Sequence, residues 1–224
     1  MSKREVVVLS GVRTAIADFG GTLKDQPATE LAAKVVAEAV SRSGLSPEDI
    51  GHCVIGSVLH GDRRDMYISR VAALKAGLPV ETPSLTVNRL CGSGLQALVS
   101  AAQMILLDDC DVAVAGGSES MSRAPYWLPA ARFGANMGDG SMVDSLTGVL
   151  TCPMGDVHMG VTAENVADQF NISREQQDEL ANQSHQRAQR AIEENRFDGQ
   201  ILPIEIKTRK GVTTFNQDEH VRFD

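Results

Sequence analysis

The apolar residues of the chain follow two periods, one typical of strands and one typical of helices. Short runs rich in β-branched residues end near glycine or asparagine, at residues 5–11, 52–58, 83–88 and 111–117. Between them, residues 28–43 place leucine, valine and alanine three or four positions apart, and residues 66–76 show a weaker helical pattern. The first kind of run predicts strands and the second predicts helices. Their alternation predicts an α/β fold with a largely parallel sheet.

A further helix is predicted from Leu95 to Leu107, where apolar residues occupy nearly every position. Its only polar positions form a narrow stripe, made of Ser93, Gln96, Ser100 and Gln103. A helix that is apolar on almost every side has to be covered on almost every side. We therefore expect this helix to lie between two layers of the fold.

The pattern changes after Ser118. The stretch RAPYWLPAARFGANMGDGSMVDSLTG is rich in glycine, proline, alanine and methionine and shows little periodicity. A strongly polar helix is then predicted over residues 173–195, with Ser173 as its N-cap and Gln176 in its first turn. These changes predict a core domain over residues 1–120 and an inserted domain over residues 121–224.

Charge and cysteine spacing narrow the function classes. The 224 residues carry a formal net charge of −8. Nucleic acids and membrane surfaces favour a basic face, so neither is an expected partner. The cysteines lack CxxC pairing, and the spacing of Cys152 and His158 matches no usual zinc site, so we expect no metal. The sequence shows no signal-peptide or membrane-spanning run, which favours a cytoplasmic location.

The stretch VNRLCGSGLQAL contains the most informative cysteine, Cys91. A free cysteine is most often a small buried hydrophobe, and this is our prediction for Cys53. Cys91 instead precedes a predicted helix, whose N-terminus favours a thiolate, and Gly92 and Gly94 leave space for a ligand. The same glycines with Ala97 form G-x-G-x-x-A, a pattern of dinucleotide-binding loops. From the residues alone, a core thiol, a nucleophile and a nicotinamide-dependent oxidoreductase all stay open.

Three motifs in order resemble the thiolase family of acetyl-CoA acetyltransferases and 3-ketoacyl-CoA thiolases: VNRLCGSGLQALVSAAQ, DVAVAGGSESMSRAPY and HMGVTAENVADQF. The segment RRDMY resembles the bacterial β-ketothiolases in particular. The resemblance implies the N-terminal half of a layered αβαβα core, followed by part of an inserted loop domain. It also implies a homo-oligomer, a dimer or tetramer, acting on acyl-CoA in fatty acid metabolism.

The resemblance also assigns roles to single residues. Cys91 matches the nucleophile that carries the acyl group as a thioester, with Gly92 and Gly94 beside it. His158 and Met159 match residues that line the coenzyme A and acyl pocket, and Arg222 matches a position near the nucleotide end of coenzyme A. Glu119 matches an acid that orders neighbouring polar groups. No separate cofactor is implied, because coenzyme A arrives with the substrate.

The resemblance covers only the first half of the family's pattern. The family's activating histidine and its second cysteine belong to motifs that do not occur in this sequence. We therefore expect the chain alone to be incomplete and inactive as an acyltransferase. The missing half could be supplied by a second chain. A noncatalytic acyl-CoA-binding fragment is the alternative, and a nicotinamide-dependent oxidoreductase is a more distant one.

Overall fold

The computed structural model describes residues 4–209 and 211–223. Within these residues the α-helices are α1 Ala28–Ser43, α2 Ile68–Lys75, α3 Ser93–Leu106, α4 Ser145–Val149, α5 Met159–Phe170 and α6 Arg174–Glu193. The strands are β1 Arg13–Thr14, β2 His52–Gly56, β3 Ser84–Val87, β4 Ala113–Gly117, β5 Tyr126–Trp127, β6 Val143–Asp144, β7 Thr151–Cys152, β8 Val157–His158, β9 Ile201–Leu202, β10 Ile204–Thr208 and β11 Gly211–Phe215. Short 3₁₀ helices lie at Pro47–Asp49, Asp65–Tyr67, Met121–Arg123 and Ala131–Phe133.

The centre of the fold is a parallel sheet in the order β3-β2-β4. Alternate residues of β2 point to opposite faces of this sheet. Cys53 and Ile55 belong to a buried cluster with the apolar faces of α1 and α2, whereas Val54 packs with Ala97 and Ala101 of α3. The sheet is therefore covered by α1 and α2 on one face and by α3 on the other, which confirms the predicted α/β fold.

Two predictions about single elements differ from the structure. Residues 5–11 form no strand, and Val8 among them is 87% exposed. Helix α3 was expected to be covered on almost every side, yet only the side that faces the sheet is buried. Leu95 is 68% exposed and Leu98 is 51% exposed. The reason is that the sheet is the only layer packed on α3 within the described residues, so its second apolar side faces solvent.

The chain divides into two units by its internal contacts. The first unit runs to Arg123 and also includes Asp198–Glu219, and the second contains Ala124–Phe197 and the residues after Glu219. The change at Arg123 lies close to the boundary expected after residue 120. Asp198–Glu219, which was assigned by sequence to the inserted domain, instead belongs to the first unit because its apolar side chains pack there.

A hairpin formed by β10 and β11 accounts for this packing. Ile204 pairs with Phe215 across the hairpin, and both are buried against Leu23 and Leu31. The side chain of Asp218 accepts hydrogen bonds from Arg13 Nη1 and Nη2 at 2.8 and 2.9 Å. Burial acts to raise the pKa of Asp218, but the hydrogen bonds from Arg13 and from the Ile16 N–H lower it overall.

The second unit consists of short hairpins and helices α4 to α6. Ser173 caps α6 as predicted: its Oγ accepts from the Gln176 N–H, and the Gln176 side chain accepts from the Ser173 N–H at 2.9 Å. Along α6 the structure records no buried residue, consistent with its polar sequence. In the described part of the chain, no helix combines the length and the apolar character required to cross a membrane.

Candidate active site

The carboxyl ends of the three parallel strands meet at one edge of the sheet. Val87 of β3 and Gly117 of β4 both lie opposite Gly56 of β2. Cys91 follows β3 after a short turn, and Glu119 follows β4 after one residue. Loops at this edge form the ligand sites of open α/β sheets. The fold therefore brings Cys91 and Glu119 to the edge where a binding site is expected.

Cys91 has an exposed side chain and stands immediately before Gly92, the N-cap of α3. The residue before it, Leu90, has a φ of 49°, in the left-handed region. This backbone conformation costs an L-residue about 1–2 kcal/mol. The contacts around the turn therefore have to hold Leu90 in place.

Hydrogen bonds from both sides of the turn supply that restraint. Asn88 Oδ1 accepts from the Leu90 N–H at 3.0 Å. The buried hydroxyl of Ser93 accepts from the Arg89 N–H at 2.8 Å and donates to the Leu90 carbonyl at 2.6 Å. The Arg89 guanidinium also hydrogen-bonds to Gln96 on the first turns of α3. Cys91 is thus presented on a turn that is anchored to the helix that follows it.

Glycines allow α3 to begin directly against the sheet. A Cβ placed on Gly56 would lie 2.5 Å from the carbonyl carbon of Ser93, closer than real atoms approach. A Cβ on Gly117 would lie 3.2 Å from the Cα of Gly94. Gly94 therefore faces the strand β4. The predicted contribution of Gly92 and Gly94 to ligand approach stays a prediction.

Glu119 organises the loop after β2. Its Oε2 accepts from the Val58 N–H at 2.9 Å, and its Oε1 accepts from the Leu59 N–H at 3.0 Å. Partial burial of the carboxyl raises the pKa of Glu119, although the two N–H groups act in the opposite direction. The residue as a whole is nevertheless exposed. Glu119 therefore binds two backbone N–H groups of this loop, and its predicted role in the active site stays a prediction.

The remaining predicted residues belong to the second unit. His158 ends β8 and is the N-cap of α5, where its Nδ1 accepts from the Gly160 N–H at 3.0 Å. A neutral His158 ring therefore carries its proton on Nε2. Met159 begins α5 and is 40% exposed. The Arg222 N–H donates to His185 Nδ1 on α6 at 3.3 Å, and its own side chain is exposed.

The described residues contain no group of three or more His, Cys, Asp and Glu side chains placed to hold a metal ion. Ser93 was recognised from the sequence only as part of the polar stripe of its helix. Asparagine and serine side chains often form hydrogen bonds to nearby backbone groups. The positions of Asn88 and Ser93 on either side of Cys91 could therefore have predicted that they hold the turn. Gly56 and Gly117 gave another signal, because a strand glycine often marks a close approach of backbone.

The fold and the edge site define a class of protein. Residues 6–224 match the thiolase N-terminal domain, and the chain belongs to the thiolase family. The α/β fold and the αβα arrangement of the first unit agree with this assignment.

Individual relatives are similar over almost the whole chain. The beta-ketothiolase BktB of Cupriavidus necator is 60% identical over 221 residues, which cover 99% of this chain and 56% of that protein. The crystal structure of the Bacillus anthracis acetyl-CoA acetyltransferase superposes with a TM-score of 0.92 and 43% identity, covering 97% of this chain and 55% of that one. The crystal structure of human mitochondrial 3-ketoacyl-CoA thiolase superposes with a TM-score of 0.92 and 42% sequence identity, and the match covers 96% of this chain and 55% of that one. The chain thus spans about half the length of these relatives.

Proposed function

We propose that this chain supplies the acyl-accepting cysteine of a thiolase-type acyltransferase that acts on acyl-CoA, with Cys91 as the nucleophile. The observation that carries the proposal is the exposed Cys91 thiol, held on a constrained turn at the start of α3. It lies at the carboxyl edge of the parallel sheet in a chain that belongs to the thiolase family.

In the cleavage direction, the proposed reaction begins with attack of the Cys91 sulfur on the 3-keto carbonyl of a short 3-ketoacyl-CoA, whose C2–C3 bond breaks so that acetyl-CoA leaves. In the synthetic direction it begins with attack of the Cys91 sulfur on the thioester carbonyl of acetyl-CoA. A new carbon–sulfur bond forms to Cys91, and the bond to coenzyme A breaks, so that coenzyme A leaves as its thiol. In the synthetic direction the Cys91 acyl group then passes to the carbanion of a second acyl-CoA. Covalent catalysis of this kind divides a difficult condensation into two easier steps.

The position of Cys91 suits the first step. Backbone N–H groups at a helix N-terminus point towards the chain that precedes it and attract negative charge. Such groups stabilise both a thiolate and the oxyanion that forms at an attacked carbonyl. We propose that the α3 N-terminus acts in this way on the oxyanion that forms when Cys91 attacks.

The other predicted residues have supporting roles in this proposal. Glu119 holds the backbone of the loop after β2, through Val58 and Leu59. Exposed His158 and Met159 are available to an acyl group or to the coenzyme A arm, and exposed Arg222 is available to its phosphates. No cofactor beyond the coenzyme A of the substrate is proposed.

The chain spans about half of its relatives, and the groups that transfer protons in the family belong to the other half. We infer that Cys91 accepts an acyl group but that complete turnover requires further residues, on the same polypeptide or on a second chain. We also propose a homo-oligomer, a cytoplasmic location and a place in fatty acid metabolism, as the family resemblance implies.

The proposal is tested by incubating the purified chain with acetyl-CoA and mapping acetyl groups by peptide mass spectrometry. We expect an acetyl group on Cys91, its loss in Cys91→Ser, and its retention in the control Cys110→Ser. Binding of coenzyme A without any acetyl group on Cys91 would support the noncatalytic fragment instead. Tight NADH binding that Cys91→Ser leaves unchanged would support the oxidoreductase, and full turnover by this chain alone would contradict the inferred need for further residues.

A further inference from the structure

The turn that carries Cys91 depends on a side chain that has no role in the chemistry proposed above. Ser93 is 4% exposed, and its hydroxyl is hydrogen-bonded to two backbone groups of the turn. A serine in the first turn of a helix commonly faces solvent or caps the helix. Here the N-cap is Gly92, which has no side chain to offer, so Ser93 supplies a side-chain link between the turn and α3, in addition to the hydrogen bond between Arg89 and Gln96.

We propose that Ser93 is a positioning residue for Cys91, a role that rests on the proposed function of Cys91 as nucleophile. Its hydroxyl accepts a hydrogen bond from the Arg89 N–H and donates one to the Leu90 carbonyl, so one oxygen binds both the peptide unit before Arg89 and the peptide unit after Leu90. The Leu90 carbonyl also accepts from the Ser93 N–H at 3.0 Å. These bonds hold Leu90 in the left-handed region and thereby set the direction of the Cys91 side chain.

The packing of Ser93 on the sheet fixes the hydroxyl itself. The Ser93 carbonyl group lies against Gly56 of β2 so closely that a Cβ on Gly56 would be 2.6 Å from the Ser93 oxygen. The neighbouring Gly94 lies against Gly117 of β4. Ser93 and Gly94 therefore connect the turn to the strands β2 and β4. The sheet edge, Ser93 and the turn form one continuous support for the Cys91 sulfur.

The role of Ser93 is distinguishable from a general effect on folding by its dependence on Leu90. Glycine adopts the left-handed conformation readily, because it has no Cβ. A chain with glycine at position 90 therefore needs the Ser93 hydroxyl less. If Ser93 acts by holding Leu90, then Leu90→Gly should reduce the effect of Ser93→Ala. A residue that merely stabilises α3 would show no such coupling.

The test compares Ser93→Ala, Leu90→Gly and the double variant with the wild-type chain. Gln103→Ala is the control, because Gln103 is an exposed residue of the same helix and, among the described residues, the structure records no hydrogen bond for its side chain. For each chain, acetylation of Cys91 by acetyl-CoA and its alkylation by iodoacetamide are followed by peptide mass spectrometry. Amide hydrogen exchange is measured over residues 88–93.

We expect Ser93→Ala to lower the ratio of acetylation rate to alkylation rate at Cys91 by about tenfold, because small errors in position slow acyl transfer strongly. Alkylation requires only an exposed thiol and serves as the reference. We also expect exchange over residues 88–93 to rise by about tenfold, the effect of losing one buried hydrogen bond. Gln103→Ala should change neither quantity, and the loss in the ratio should be about threefold or less in the Leu90→Gly background.

Unchanged exchange in Ser93→Ala would overturn the proposal, as would faster exchange with an unchanged ratio or an equal loss in the Leu90→Gly background. Failure of the wild-type chain to accept any acetyl group would instead contradict the proposed function. In that case the exchange measurements still decide whether Ser93 holds the turn.

Discussion

Two cysteines of the same small sheet differ completely in their surroundings. Cys53 lies on β2 with no exposed surface, its sulfur 3.7 Å from the Ser69 carbonyl oxygen, and burial raises its pKa to about 12. Cys91 is exposed at the edge of the sheet. The thiolate is the reactive form of cysteine, so a buried thiol with a raised pKa is protected twice, by access and by protonation.

We therefore predict that iodoacetamide labels Cys91 in the native chain near neutral pH, while Cys53 reacts only after unfolding. Peptide mass spectrometry of native and urea-treated samples measures both reactions in one experiment. Equal rates for Cys53 and Cys91 in the native chain would contradict the buried position of β2. The expected protection also makes Cys53 a probe for unfolding of the first unit.

At the scale of residues, the sequence predicted burial and the helix start but not the backbone conformation of the turn. The buried state of Cys53 follows from its apolar strand, and the helix start at Cys91 follows from Gly92, Gly94 and the apolar run behind them. The left-handed Leu90 could not be predicted in the same way. Leucine is rarely found in that conformation, and it is held there by Asn88 and Ser93 through contacts that propensity does not describe.

At the scale of elements, the start of α3 depends on close contact with β2. The Cβ of an alanine at position 56 would overlap the backbone carbonyl of Ser93, which cannot rotate away as a flexible side chain could. Overpacking of this kind costs about 1–3 kcal/mol. We predict that Gly56→Ala lowers the free energy of unfolding by about this amount and disturbs the turn before α3.

Gly116→Ala is the control, because a Cβ at Gly116 on the neighbouring strand β4 would meet no atom within 4 Å. Both variants are compared by the urea concentration at which Cys53 becomes accessible to iodoacetamide. A midpoint for Gly56→Ala that equals that of Gly116→Ala would show that α3 does not press on β2 as closely as the structure indicates.

Prediction of whole elements succeeded where the pattern and the packing agree. Helix α1 has the predicted bounds, and runs 52–58, 83–88 and 111–117 contain the strands β2, β3 and β4. The run at 5–11 has the same composition but makes no strand, because a strand exists only where a neighbour offers backbone hydrogen bonds. The local sequence favours a strand, but the strand forms only where a neighbouring strand is available for backbone hydrogen bonds.

At the scale of the molecule, the first unit is assembled from distant parts of the chain. Arg13 binds Asp218, and the β10–β11 hairpin places Ile204 and Phe215 on Leu23 and Leu31. The hairpin was not predicted, since its strands contain several polar residues and its buried side chains find their partners about 170–190 positions earlier. Only the folded chain shows that Asp198–Glu219 return to the first unit.

This arrangement makes the hairpin a stabilising part of the unit that carries Cys91. Phe215 is 7% exposed, and removing a buried aromatic ring costs about 3–5 kcal/mol. We predict that Phe215→Ala lowers the free energy of unfolding of the first unit by about this amount. Val212→Ala, at an exposed position of the same strand, should cost less than about 1 kcal/mol.

Accessibility of Cys53 in increasing urea measures both changes, because Cys53 lies on β2, far along the chain from either substitution. Earlier exposure of Cys53 in Phe215→Ala, but not in Val212→Ala, is expected if the hairpin supports the unit as a whole. If Phe215→Ala left the exposure of Cys53 unchanged, the hairpin would be an independent element, and β2 would be stable without it. The experiment distinguishes these two outcomes because Cys53 and Phe215 belong to different buried clusters. A substitution in one cluster changes exposure in the other only if the first unit unfolds cooperatively.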